Sequence, residues 1–142
     1  MTRAEFEQLR NLPDKRITAD IAFQPSKATS PNLTFENVAV ENSLNWEVLL
    51  NGTFKPDLPA VTYNFHIKTA GGAVCRVCVN GTKHGGAGRT HKHDLQHESD
   101  PRNNLPVAVA RPDLEGKTAR EVWATVMAQA NIQHTGNFTD PA

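Results

Sequence analysis

Apolar positions along the chain are spaced first as in a helix, then in alternation, then as in a helix again. Thr2-x-x-Glu5 is a capping-box pattern, and Phe6 and Leu9 follow at helical spacing until Pro13 ends the helix near Asn11. The period then becomes two. Ile17, Ala19, Ile21 and Phe23 point one way and Arg16, Thr18 and Asp20 the other, which predicts a half-buried strand. A polar connection from Pro25 to Pro31 leads to a second strand across Leu33 to Val40. Trp46, Val48 and Leu50 share a face of a third strand that runs into Asn51-Gly52, the preferred pair for a tight hairpin turn. The Lys55 to Pro59 stretch is the other candidate for that reversal.

The clearest alternation follows. Val61, Tyr63, Phe65 and Ile67 interleave with Thr62, Asn64, His66 and Lys68, and residues 73–79 make a fifth strand closed by Asn80-Gly81. Leu105 to Ala110 is a candidate sixth. Thr118-x-x-Glu121 is a second capping box, opening a helix to about Asn131 whose stripe of Val122, Trp123, Val126, Met127 and Ala130 faces a core. Consecutive strands without intervening helices predict an antiparallel meander of five or six strands, one face packed and one solvated. The expected fold is therefore α+β, with an N-terminal helix and a C-terminal amphipathic helix packed on one face of the sheet. Residues 1–142 read as one domain, and 135–142 as a frayed tail.

Composition narrows the function classes. With 142 residues, 38% hydrophobic and 21% charged, the chain is of ordinary globular type. Fifteen basic and fifteen acidic side chains cancel, so no global field steers it to nucleic acid or anionic lipid. No apolar run is long enough to span a membrane and no signal-peptide core is present, so the expected location is cytoplasmic with no membrane partner. Two cysteines give no disulfide framework.

One segment departs from this neutrality. From Arg76 to His93 the chain carries Arg76, Lys83, Arg89, Lys92 and the imidazoles of His84, His91 and His93, with no acidic residue before Asp94. Gly85-Gly86-Ala87-Gly88 lies within it, and such a run can aim backbone N–H groups at a phosphate. In an extended Thr90-His91-Lys92-His93 stretch the two histidines share a face. A pair of imidazoles suits general acid–base work, as in cleavage of RNA through its own 2′-hydroxyl, with a cation on the phosphate. His91 and His93 are the acid–base candidates; Lys83, His84, Gly86, Gly88, Arg89 and Lys92 are the substrate-binding candidates. In this reading there is no cofactor. The alternative is zinc on Cys75-x2-Cys78-x12-His91-x5-His97, a spacing that fits a Cys2His2 site. A strand through residues 73–79 would, however, send the two thiols to opposite faces.

The Gly88-Arg89-Thr90-His91-Lys92-His93 stretch, with the sheet before it and the amphipathic helix after it, resembles the TumE-type toxins of prokaryotic toxin–antitoxin pairs. Thr90 stands where that pattern carries an aspartate. The opening Glu-Phe-Glu-Gln-Leu-Arg-Asn-Leu-Pro is similar to a family of small prokaryotic proteins of unknown function. The resemblance implies a toxin-like or defence-related domain acting on RNA, with an antitoxin or defence complex as protein partner. Two other classes remain open: a non-enzymatic inhibitor or binding module using the basic loop, and a zinc-stabilised structural protein.

Overall fold

A computed structural model describes residues 1–141. Helix α1 (Arg3–Asn11) and helix α2 (Ala119–Gln129) both start at complete capping boxes, in which Thr2 and Thr118 exchange hydrogen bonds with Glu5 and Glu121. The C-terminus of α1 is closed by Lys15, whose buried ammonium donates to the carbonyls of Leu9, Arg10 and Leu12 at 2.6–2.8 Å. The last turn of a helix leaves its carbonyls short of intrahelical donors, and here only Leu9 also accepts a backbone N–H at the cap, from Leu12.

Seven strands form one antiparallel meander in the order β3 (Gln24–Pro25), β4 (Leu33–Val40), β5 (Val48–Lys55), β6 (Ala60–Ile67), β7 (Gly72–Val79), β8 (His91–Asp94) and β9 (Ala108–Ala110). The expected α+β architecture is present, with a sheet one strand larger than anticipated. One face carries Val48, Leu50, Val61, Tyr63, Phe65, Ile67 and Val77, packed against Phe6 and Leu9 of α1 and Val122, Trp123, Val126 and Met127 of α2. Both helices cover this face alone, so the other is left to polar side chains.

Three local expectations change. Asn51-Gly52 is not a turn: β5 runs straight through it and reverses after Lys55. Gly52 is required for another reason, because a Cβ there would overlap the ring of Phe35, which lies directly across on β4. Asn51 turns its Oδ1 to the backbone N–H of Asn37, at the register shift in β4. Secondly, the alternating stretch from Arg16 to Phe23 is not one meander strand. It breaks into β1 (Lys15–Ile17) and β2 (Ile21–Ala22), which pair in parallel with β10 (Ile132–His134) and β11 (Phe138–Thr139). Thirdly, the segment from Thr135, expected to fray, is tied down by that pairing, by Thr135 N–H to the Ile17 carbonyl and by Asn137 N–H to Asp20; the last residue of that tail, 142, lies outside the described residues. Among the described residues, no helix is long and apolar enough to cross a membrane.

Candidate functional site

Alternation along β8 sorts its residues between the two faces. His91 and His93 fall on the face away from the helices, while Lys92 falls on the helix side, where it shares a small apolar cavity with Phe6, Leu9 and Arg10. Register then supplies the neighbours. Thr53, Thr62, Cys78, His91 and Ala110 form one ladder across five strands, and Asn64, Arg76, His93 and Ala108 form a second. Both histidines are buried, at 2% and 0% exposure.

The connection from Asn80 to Thr90 folds back over this face. Its base is pinned by Asn80 N–H to the buried Thr90 hydroxyl and by Gly81 N–H to the Arg89 carbonyl, at 3.2 and 2.9 Å. At its tip a single turn over Gly85–Ala87 is closed by His84 N–H to the Gly88 carbonyl at 3.0 Å. This brings the exposed His84 ring over the other two. Ring centroids are 5.0 Å apart for His84 and His91, 4.7 Å for His84 and His93, and 4.9 Å for His91 and His93. One nitrogen from each ring lies within 4.8 Å of the others.

Backbone carbonyls set the tautomers. His91 Nδ1–H donates to Gly88 at 3.0 Å and His93 Nδ1–H to Leu105 at 2.7 Å. A carbonyl only accepts, so in each neutral ring the lone pair resides on Nε2. His93 Nε2 is buried and has no partner. The supporting backbone is unusual at both places. Gly88 has φ +71 and ψ −158, a region that glycine alone occupies readily, and this explains the Gly-x-x-His spacing. Asn104 and Leu105 sit successively at φ 59 and 51, rare for a bulky leucine, and so aim the Leu105 carbonyl at His93.

Electrostatics keeps the two buried rings neutral. Burial lowers the pKa of His93 to about 4, against the favourable carbonyl of Leu105 and with Arg76, His91 and His84 adding like-charge repulsion. Burial likewise lowers His91, partly offset by the Gly88 carbonyl. His93 is not prepared to be the protonated partner of an acid–base pair. Both rings are prepared as lone-pair donors.

Around the histidines lies a pocket of about 230 Å³ lined by Thr53, Lys55, Thr62, Arg76, Cys78 and Thr82. Of the residues expected here from sequence, His84, His91 and His93 come together. Lys92 does not: it is on the other face, 3.5 Å from Asp94. Lys83, Gly86 and Arg89 sit on the exposed loop, with Arg89 donating to the Gly81 carbonyl at 3.3 Å. The Ala87 and Gly88 amides bond carbonyls within the loop, so the glycine run does not present them to a phosphate. The Cys75, Cys78, His91 and His97 combination is not assembled. Cys75 faces the helix-side cavity and Cys78 the pocket, as strand alternation requires, and burial raises both thiol pKa values. His97 is exposed on the turn after β8, where its backbone N–H donates to Asp100 at 2.8 Å. Sequence reasoning missed Lys55, Thr53 and Thr62, and left Arg76 out of the site. Face parity was readable for each, but the strand order that unites them was not.

Fold and site together define an α+β domain with one helix-covered sheet face and, on the other, a three-imidazole pocket flanked by two cations. No family model matches the chain, and neither does any curated protein or solved structure.

Proposed function

We propose that the protein is a metal-dependent domain in which His84, His91 and His93 hold one divalent ion of the zinc class, and that the bound ion activates a water for hydrolysis. The observation that carries this is the convergence of one ring nitrogen from each histidine within 4.8 Å, with Nδ1 of His91 and of His93 tied to a backbone carbonyl so that Nε2 is left as the free donor of each ring. Metal-binding histidines are oriented in this way, since the carbonyl fixes the tautomer and raises the basicity of the free nitrogen. Zn–N bonds near 2.1 Å in a tetrahedral arrangement place ligand nitrogens about 3.4 Å apart. Closure of up to about 1.4 Å is needed, and the loop that carries His84 has room to move toward the two buried rings. That loop is exposed, and the Cβ positions of Gly85, Gly86 and Gly88 meet nothing within 4 Å. Three protein ligands leave a fourth position open toward the pocket, the arrangement of catalytic rather than structural zinc. A bound water there would ionise near pH 7 and become a nucleophile.

This reading keeps the toxin-like, RNA-directed expectation but replaces its imidazole acid–base pair with metal-bound water. The test is metal stoichiometry. Chelator-stripped protein titrated with zinc should bind one ion per chain. His93→Ala and His84→Ala should each lose it, and Cys75→Ser should leave it intact. Absence of one-to-one binding, or binding indifferent to His93, overturns the proposal. Zinc binding without turnover of any phosphate ester would support the non-enzymatic class instead.

A further inference from the structure

Resting on the metal reading, we infer that Arg76 and Lys55 form a phosphoryl-binding subsite beside the three histidines, so that the substrate is a phosphate ester. The pocket lining contains two cations, three threonines and three imidazoles, and no carboxylate among the described residues. Neither cation makes an ion pair among the described residues, whereas the charged side chains on the helix side, Arg10, Lys92 and Asp94, pair with one another. In a chain of zero net charge, two unpaired cations at one pocket are a local feature and not a by-product of composition.

Arg76 is also held in position. It stands across from His93 in the β7–β8 register, and its guanidinium donates to Asn104 Oδ1 at 2.9 Å and to the Asn104 carbonyl at 3.3 Å. Asn104 belongs to the same left-handed turn that aims the Leu105 carbonyl at His93. One turn therefore places both the cation and the adjacent imidazole. Two of the guanidinium donors are used by Asn104, which leaves three of its five for a ligand. Lys55, exposed at the end of β5, contributes a second positive charge at the rim, and Thr53 and Thr62 line the floor between.

Charge selects the substrate. One divalent ion and two side-chain cations sum to more positive charge than a single carboxylate can balance. A phosphoryl group can carry two negative charges and spreads them over several oxygens in its transition state, where fixed cations act most strongly. In the hydrolysis, the water oxygen forms a new P–O bond and the P–O bond to the leaving alcohol breaks. One of the water's protons ends on the alcohol and the other on the phosphate product. His84 also lines a shallow groove running past Gly85, Gly86, Pro106 and Val109, which gives the rest of a longer ester a path out of the pocket.

The test separates the subsite from the metal. Inorganic phosphate is titrated into chelator-stripped protein and followed by calorimetry, with zinc stoichiometry measured in parallel. Arg76→Gln should weaken phosphate binding at least tenfold, Arg76→Lys should restore part of it, and Lys55→Ala should weaken it several-fold, all with one zinc still bound. Phosphate binding that is absent, or unchanged in Arg76→Gln, overturns the inference and leaves the metal reading standing. Phosphate binding that depends on Arg76 in a protein that takes no zinc supports the subsite and overturns the metal reading. Competition identifies the source of the phosphoryl group. A 5′-nucleoside monophosphate displaces phosphate if the ligand is a terminal ester, and single-stranded RNA lacking a terminal phosphate displaces it if the ligand is a backbone diester.

Discussion

Lowering the pH should destabilise the metal-free protein through His93. The ring is fully buried and donates Nδ1–H to Leu105 at 2.7 Å, while its Nε2 has no partner. Burial is the main reason that the pKa falls from 6.5 to about 4: a protonated ring there would lose its hydration, and it would also stand beside Arg76, His91 and His84. The unfolded chain has no such burden and takes up its proton near 6.5. Between these values the unfolded state binds more protons than the folded one, so stability decreases as pH drops from 6.5 toward 4. Above 6.5 this contribution is complete and constant; below about 4 both states are protonated and no more is lost. A pKa difference of this size corresponds to about 3 kcal/mol at most, a large share of the stability of a small domain. The assay is urea unfolding in excess chelator at intervals from pH 7.5 to 4, comparing wild type with His93→Asn. Asparagine keeps a donor near the Nδ1 position for the Leu105 carbonyl and cannot take a proton. The variant should be less stable at neutral pH but lose much less on acidification. Parallel pH curves for the two proteins would refute the reasoning, because the loss would then belong to other groups.

Other perturbations address the sheet and its two faces. Gly52→Ala should destabilise the protein by about 2 kcal/mol by forcing the Phe35 ring aside, measured by thermal unfolding; a neutral result would show that the ring has room to move. Phe65→Ala, on the helix-covered face, should cost about 3–5 kcal/mol in urea unfolding, and a loss below about half a kilocalorie would mean that the face is assigned backwards. Tyr63→Phe should cost about 1–2 kcal/mol, since the Tyr63 hydroxyl donates to the Ala119 carbonyl at 2.8 Å at the start of α2; unchanged stability would show that water satisfies that carbonyl. Lys92→Ala should leave phosphate and zinc titrations unaltered, and a loss comparable to that of Arg76→Gln would place Lys92 on the wrong face of β8.

Local chemistry makes much of this legible in the sequence. Both capping boxes form where Thr2 and Thr118 predict them, because an N-cap is satisfied within one turn of chain. The alternation of Val61 to Ile67 and the shared face of His91 and His93 likewise follow from the two-residue repeat of a strand. Other features depended on distant partners. Asn51-Gly52 has the composition of a turn, yet Phe35 and Asn37, more than a dozen residues earlier, decide that it continues a strand. The segment from Thr135 looks frayed until β2 is beside it. The site divides in the same way. Sequence pairs His91 with His93, but only the fold of the 80–90 connection lowers His84 onto them, and only the strand order sets Arg76 beside His93. A strand's period states which of its residues share a face; which strand lies next to it, and in what register, is settled by long-range pairing that no local pattern contains.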